Sequence, residues 1–195
     1  KAIQIGPSMM SGYFLGGGNK RQLSAIIQRL KREKIDVTVD NLGEFATSEA
    51  GADRYLEKCK TMFGVLEPES SCSMKLTGLS PHFDPYAPDY VMRPENPLVR
   101  RLKRLFEVCS EKHLIAFIDA EHHETVSLLY QFQMKRLDEM PSYRRGGFVV
   151  QAYRKDSFRE IDRIGQWVKA RGDRIGGTDR RNCYIRLVKG AYEEG

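Results

Sequence analysis

The chain has 195 residues, 41% hydrophobic and 30% charged, which is the composition of one globular domain or slightly more, with a sizeable core. That balance excludes an intrinsically disordered chain, and no apolar run nears the roughly 18 residues of a membrane-spanning helix. The net charge of +6 suits an acidic partner or a membrane surface; the basic residues are scattered and form no aromatic–basic stripe, which argues against nucleic-acid binding.

The first residues, KAIQIGPSMMSGYFLGGG, are too broken by Gly and Pro to read as a secretory signal. Asn19 to Lys34 reads as a helix with Leu23, Ile26, Ile27 and Leu30 on one stripe, and residues 1–34 as a segment leading into the main domain. Ile35 to Leu42 alternates as a strand does. Thr47 or Ser48 can cap the next helix, whose apolar face carries Ala52, Tyr55, Leu56, Cys59 and Phe63. Ser73 to Leu79 reads as the second strand. A Pro-rich loop from Ser80 to Glu95 follows, longer than an ordinary connection. Asn96-Pro97 is a helix start, with Leu98, Leu102, Leu105, Phe106 and Cys109 as the buried stripe. The third strand, Leu114 to Ala120, is apolar until Asp119, as suits a parallel strand covered on both faces. A helix with Val126, Leu129, Tyr130 and Leu137 leads to a fourth strand, Gly147 to Tyr153. The next helix, with Phe158, Ile161, Ile164 and Val168, is expected to stop near Gly172. The fifth strand lies within Cys183 to Tyr192.

Strand and helix alternate at intervals of about 35 to 40 residues, which argues an α/β fold with a parallel sheet. The first strand is followed by NLGEFAT rather than the GxGxxG turn of a dinucleotide fold. Polar residues within the strands come late: Lys75, Asp119, Gln151 and Arg186. Barrels of the (β/α)8 TIM type carry their catalytic side chains at the C-terminal ends of several strands, so that pattern favours such a barrel with about five βα units in this chain, residues 35–195. In CYIRLVKGAY, two cations within a strand are costly unless they meet an anion or a wet cavity. Arg186, Lys189 and the Gly190-Ala191 corner therefore read as the floor of a site for an anionic ligand. The plainer alternative is an edge strand with both cations in solvent.

Other features carry less. Cys59, Cys72, Cys109 and Cys183 lack CxxC spacing and fit a reducing compartment as small hydrophobes. His122 and His123 diverge by about 100° on a helix and have no partner spacing for a metal, so none is expected. Gly16-Gly17-Gly18-Asn19-Lys20 lacks the spacing of a phosphate loop.

VTVDNLGE (37–44), MKLTGL (74–79), FIDAE (117–121), VVQAYRKD (149–156) and RLVKGAY (186–192) stand in an order and at spacings similar to those of the proline dehydrogenase family, its bacterial members above all. The resemblance implies a flavoenzyme on a distorted (β/α)8 barrel that oxidises L-proline to Δ1-pyrroline-5-carboxylate with FAD and passes electrons to a quinone. It implies Lys75 and Tyr192 at the substrate, and Asp119 and Arg186 as catalytic residues. It also implies Ala120, Gln151, Arg186, Lys189, Gly190 and Ala191 at the cofactor. The family's substrate-binding arginine pair belongs to the last barrel helix, beyond Gly195. The further expectations are a cytoplasmic protein with peripheral contact at the inner face of the membrane, and a pyrroline-5-carboxylate dehydrogenase as fused or separate partner.

For the flavin that the resemblance implies, Arg186 suits the stabilisation of developing negative charge, because guanidinium stays charged and has directional donors. Gln151 offers a donor and an acceptor, Lys75 can meet a carboxylate, and Asp119 can offset the cations. The rival readings are another barrel enzyme acting on a phosphorylated metabolite and a non-catalytic incomplete barrel. A Lys75–Asp119 ion pair of purely structural role is the plain alternative for those two residues.

Overall fold

The computed structural model describes residues 20–41, 45–176 and 183–190. In chain order the elements are α1 (Lys20–Arg32), β1 (Thr38–Asp40), α2 (Glu49–Phe63), β2 (Ser71–Met74), α3 (Leu76–Leu79), α4 (Pro88–Val91), α5 (Pro97–Glu111), β3 (Ile115–Ile118), α6 (His123–Asp138), β4 (Gly146–Gln151), α7 (Ser157–Ile175) and β5 (Tyr184–Val188).

All neighbouring strands pair in parallel, in the order β1-β2-β3-β4-β5. A doubly wound sheet reverses its strand order near the middle, whereas a barrel adds each strand beside the last. The sheet is also strongly curved. On a flat sheet β5 would lie three strand spacings, about 14 Å, from β2. Yet Arg186 on β5 donates from Nη1 to the Ser73 hydroxyl on β2 at 2.8 Å. The five strands are therefore an arc of a barrel wall, with Ser73, Phe117, Gly147 and Arg186 on its concave face.

The convex face packs against the helices. Cys72, Met74, Ala116, Ile118, Phe148 and Val150 are buried there. Every residue of β4 is buried, as the apolar run anticipates for a parallel strand covered on both faces. Two glycines begin that strand and each makes room on one face. A Cβ on Gly146 would come within 2.6 Å of the Leu137 side chain of α6, and one on Gly147 within 2.4 Å of the Phe117 ring. On β5, the outward-facing Ile185 and Leu187 are exposed.

The helix starts are those expected locally. Ser48 accepts from the Gly51 N–H and Asn96 from the Leu98 N–H, with Pro97 in the first turn. Among the described residues, buried Arg101 and Arg171 tie helices to their surroundings, and buried Arg136 packs along its own helix. Arg101 joins α5 to Asp53 and Glu49 of α2 and to the Leu79 carbonyl. Arg136 sits on the Phe132 ring and pairs with Glu139. Arg171 caps the carbonyls at the end of α6.

Several expected boundaries move. β1 has three residues rather than eight, and β2 ends at Met74 instead of running to Leu79. The Lys75 N–H donates to the Tyr55 hydroxyl, and Leu76–Leu79 turns into a short helix that buries both leucines; Gly78 lies against the Tyr55 ring with no room for a Cβ. α7 continues past Gly172 to Ile175, where Gly176 takes a positive φ of 63° and ends it. Phe158, expected on the buried stripe of α7, is 84% exposed. At about 100° per residue it lies about 120° from Ile164. The true stripe is Ser157, Glu160, Ile164 and Arg171. Cys59, Cys72 and Cys109 are fully buried thiols, with burial pushing Cys59 up to about 11.

Candidate active site

The four late polar residues meet at one end of the arc. Lys75 and Asp119 follow the last residues of β2 and β3, Gln151 ends β4, and Arg186 lies in β5 in register with Val149. Residues two apart on a strand share a face, so the Ser73–Lys75, Phe117–Asp119 and Val149–Gln151 pairs line the concave side with Arg186.

Arg186 is the hub. Besides Ser73 it reaches Asp119 Oδ1 at 3.3 Å, and its guanidinium carbon stands 4.0 Å from the centroid of the Phe117 ring. Its Nη2 is buried and meets no hydrogen-bond partner among the described residues. A charged donor without an acceptor is costly in a protein interior.

Gln151 supplies the complementary defect. It is 1% exposed, and its Nε2 donates to the carbonyls of Ala120 at 3.1 Å and Glu121 at 3.0 Å, while Oε1 is buried without a donor among the described residues. The amide is thus fastened to the end of β3 and offers one acceptor. Its backbone carbonyl accepts from the Ser157 hydroxyl, which links it to the start of α7.

The carboxylates balance the cations. Lys75 Nζ lies 3.3 Å from Glu121 Oε1, and Thr77 donates to the other Glu121 oxygen. Among the described residues the close pairs are Lys75–Glu121 and Arg186–Asp119, and Lys75 bears on Asp119 through its charge. Thr77 serves Glu121 from α3. Asp40, in register with Ser73, has a buried Oδ1 with no partner among the described residues.

Burial and then Asp40 raise Asp119 to about 6, against the pull of Arg186, Lys75 and Ser73. The folded form holds this proton more tightly than the unfolded chain does. Its contribution to stability is fully present below about pH 4 and is lost as pH rises through about 6. A carboxyl-carbon NMR titration should give an Asp119 midpoint near 6 in the ligand-free protein, moving higher in Arg186→Met. A midpoint near 4 would contradict the burial described here.

At the end of β5 the strand pairing runs on: Ala152 N–H donates to the Val188 carbonyl and Tyr153 N–H to that of Lys189. Lys189 is exposed, and Gly190 has a φ of 118°, with a hypothetical Cβ 2.1 Å from the Tyr153 ring; only glycine fits there. Ala191 and Tyr192 lie outside the described residues, as does part of VTVDNLGE. His122 stacks on Phe45 at 5.9 Å, and among the described residues no group of three or more His, Cys, Asp or Glu could hold a metal ion.

Asp40, Glu121 and Phe117 were not singled out from the sequence. Asp40 follows the same late-in-strand rule as the other four, and Glu121 lies in the IDAE segment, so both carried a usable signal. Phe117 is an apolar residue in an apolar strand and carried none.

The match of known proteins follows this arrangement along nearly the whole chain. The family model described as Proline dehydrogenase matches residues 23–195. Proline dehydrogenase 2 of Bacillus subtilis is 25% identical over 196 aligned residues, covering 97% of this chain and 54% of the relative. The Bifunctional protein PutA of Salmonella typhimurium is 27% identical, covering 98% of this chain and 14% of its own length. The chain thus spans about half of the first relative and a small part of the bifunctional one. Among solved structures, proline utilization A from Bdellovibrio bacteriovorus, inactivated by N-propargylglycine, superposes with a TM-score of 0.85 at 24% identity, over 98% of this chain and 21% of that one. That superposition carries the barrel-arc fold, and the family match carries the sequence; the chain belongs to the proline dehydrogenase family.

Proposed function

We propose that this chain forms part of an FAD-dependent enzyme that oxidises L-proline to Δ1-pyrroline-5-carboxylate and passes the electrons to a quinone. Residues 35–195 would supply five strand–helix units of its barrel, and residues 1–34 would lead into them. The observation that carries the cofactor reading is the pair of unmet groups on neighbouring strands, a buried donor at Arg186 Nη2 and a buried acceptor at Gln151 Oε1. An isoalloxazine offers what each lacks: a ring N–H for the glutamine oxygen and a ring acceptor for the guanidinium. The residues therefore fit the group.

The chemistry that FAD supplies when bound is acceptance of a hydride equivalent. Oxidation of a cyclic secondary amine to its imine removes a hydride from the carbon beside nitrogen and a proton from nitrogen. Arg186 holds a fixed positive charge where negative charge grows, and Ser73, Phe117 and Asp119 hold it in place. Lys75 is the group for the substrate carboxylate, with Glu121 orienting it, and Tyr192 is assigned to the substrate on the family resemblance. Ala120, Gln151, Lys189, Gly190 and Ala191 would hold the cofactor, and the glycine-only backbone at Gly190 suits a close approach.

The quinone acceptor calls for peripheral contact of a cytoplasmic protein with the inner face of the membrane. No helix among the described residues is long and apolar enough to cross it. The product is suited to a pyrroline-5-carboxylate dehydrogenase, fused or separate, and the bifunctional relative motivates that proposal. The test uses the full-length protein that contains this chain. It should purify with flavin absorbance that L-proline bleaches without oxygen; a colourless protein, or a flavin indifferent to proline, overturns the reading.

A further inference from the structure

We propose that Phe117 is a positioning residue for Arg186: its ring, seated on Gly147, is the platform that aims the unpartnered donor of the guanidinium. The inference rests on the flavin reading above and adds how the cation is held.

Phe117 is in register with Ser73 on one side and Gly147 on the other. A Cβ at position 147 would stand 2.4 and 2.5 Å from two carbons of the ring, so the ring lies directly over the glycine backbone of the next strand. The Arg186 guanidinium then rests over the ring with its carbon 4.0 Å from the centroid. Phe117 is itself only 8% exposed, so the platform has little freedom to swing away.

An aromatic face attracts a cation without consuming an N–H. Ser73 and Asp119 both take Nη1, which sets one end of the guanidinium. The ring sets its plane and leaves Nη2 for a ligand. A small polar residue at 117 would compete for that donor without offering a π face, and an aliphatic one would leave the side chain free to rotate out of register. Gly147 is thus a remote determinant of the orientation of Arg186, through Phe117.

The test compares Phe117→Leu, Phe117→Tyr, Gly147→Ala and the Gly147→Ala/Phe117→Leu double variant in the full-length, flavin-loaded protein. The structural readout is the upfield ring-current shift of the Arg186 Nε–Hε NMR signal. The functional readout is the rate of proline-driven flavin bleaching, with proline affinity measured separately. Phe117→Leu should abolish the shift and slow bleaching about 3- to 30-fold at unchanged proline affinity. Phe117→Tyr keeps the π face and should recover both. Gly147→Ala should behave like Phe117→Leu, and the double variant should be no worse than Phe117→Leu alone. An unshifted Arg186 signal in the parent protein, or a lost shift with an unchanged rate, overturns the proposal. If proline fails to bleach the parent flavin, the functional reading falls by itself, and the ring-current shift still decides whether the platform exists.

Discussion

Replacing Arg186 with methionine is expected to slow proline-driven flavin bleaching in the full-length protein by about 100- to 1,000-fold, the loss seen when one preorganised donor to a developing anion is removed. Methionine keeps much of the length and apolar stem of arginine but neither its charge nor its donors. The fold should survive because Asp119, freed of the cation that pulls its pKa down, takes up a proton more readily and is not left as a naked buried charge. Ser73 keeps a hydroxyl that rotates to a new partner. Stopped-flow bleaching reads the rate, and circular dichroism reads the fold. A near-parental rate in a well-folded variant removes Arg186 from the chemistry.

The second large effect is on stability. Arg171 is fully buried, and its Nη2 donates to the carbonyls of Leu137, Met140 and Tyr143 at 3.0, 3.1 and 2.9 Å. Its guanidinium also stands 5.6 Å from the centroid of the Trp167 ring, and Asp138 approaches it at 3.7 Å. Arg171→Met should therefore destabilise the protein by about 3–5 kcal/mol, the loss expected when a buried charged group that serves several partners is removed. For a chain of this size that corresponds to a fall in Tm of roughly 6–20 °C. The consequence reaches the candidate site. The segment that Arg171 clamps includes Tyr143, whose hydroxyl accepts the Ala116 N–H at 3.1 Å beside the start of β3. Calorimetry checks the prediction, and a change below about 1 kcal/mol would mean that the carbonyls find other donors.

These two arginines also show what was legible in the sequence. Arg186 stands in an apolar strand, where a cation must find an anion or a cavity, so its oddity is visible without a structure. Asp119, Lys75 and Gln151 were legible for the same reason, and the structure brings all four to one end of the arc. Arg171 stands near a helix end beside Gly172, where a solvated arginine is unremarkable, and only packing against α6 makes it central. Helix caps at Ser48 and Asn96 were legible because they are local. Sequence alone extends β2 to Leu79 because Leu76 and Leu79 continue an apolar run whose i, i+3 spacing also suits one helical turn. Tyr55, twenty residues earlier in sequence, decides between the two by taking the Lys75 N–H. Phe158 misled because steps of three residues drift around a helix.

The most direct measurement is a structure of the full-length protein with flavin bound. The isoalloxazine ring should lie across the ends of β4 and β5, within hydrogen-bonding distance of both Arg186 Nη2 and Gln151 Oε1. A flavin seated elsewhere, with those two atoms meeting only protein or water, would contradict the assignment.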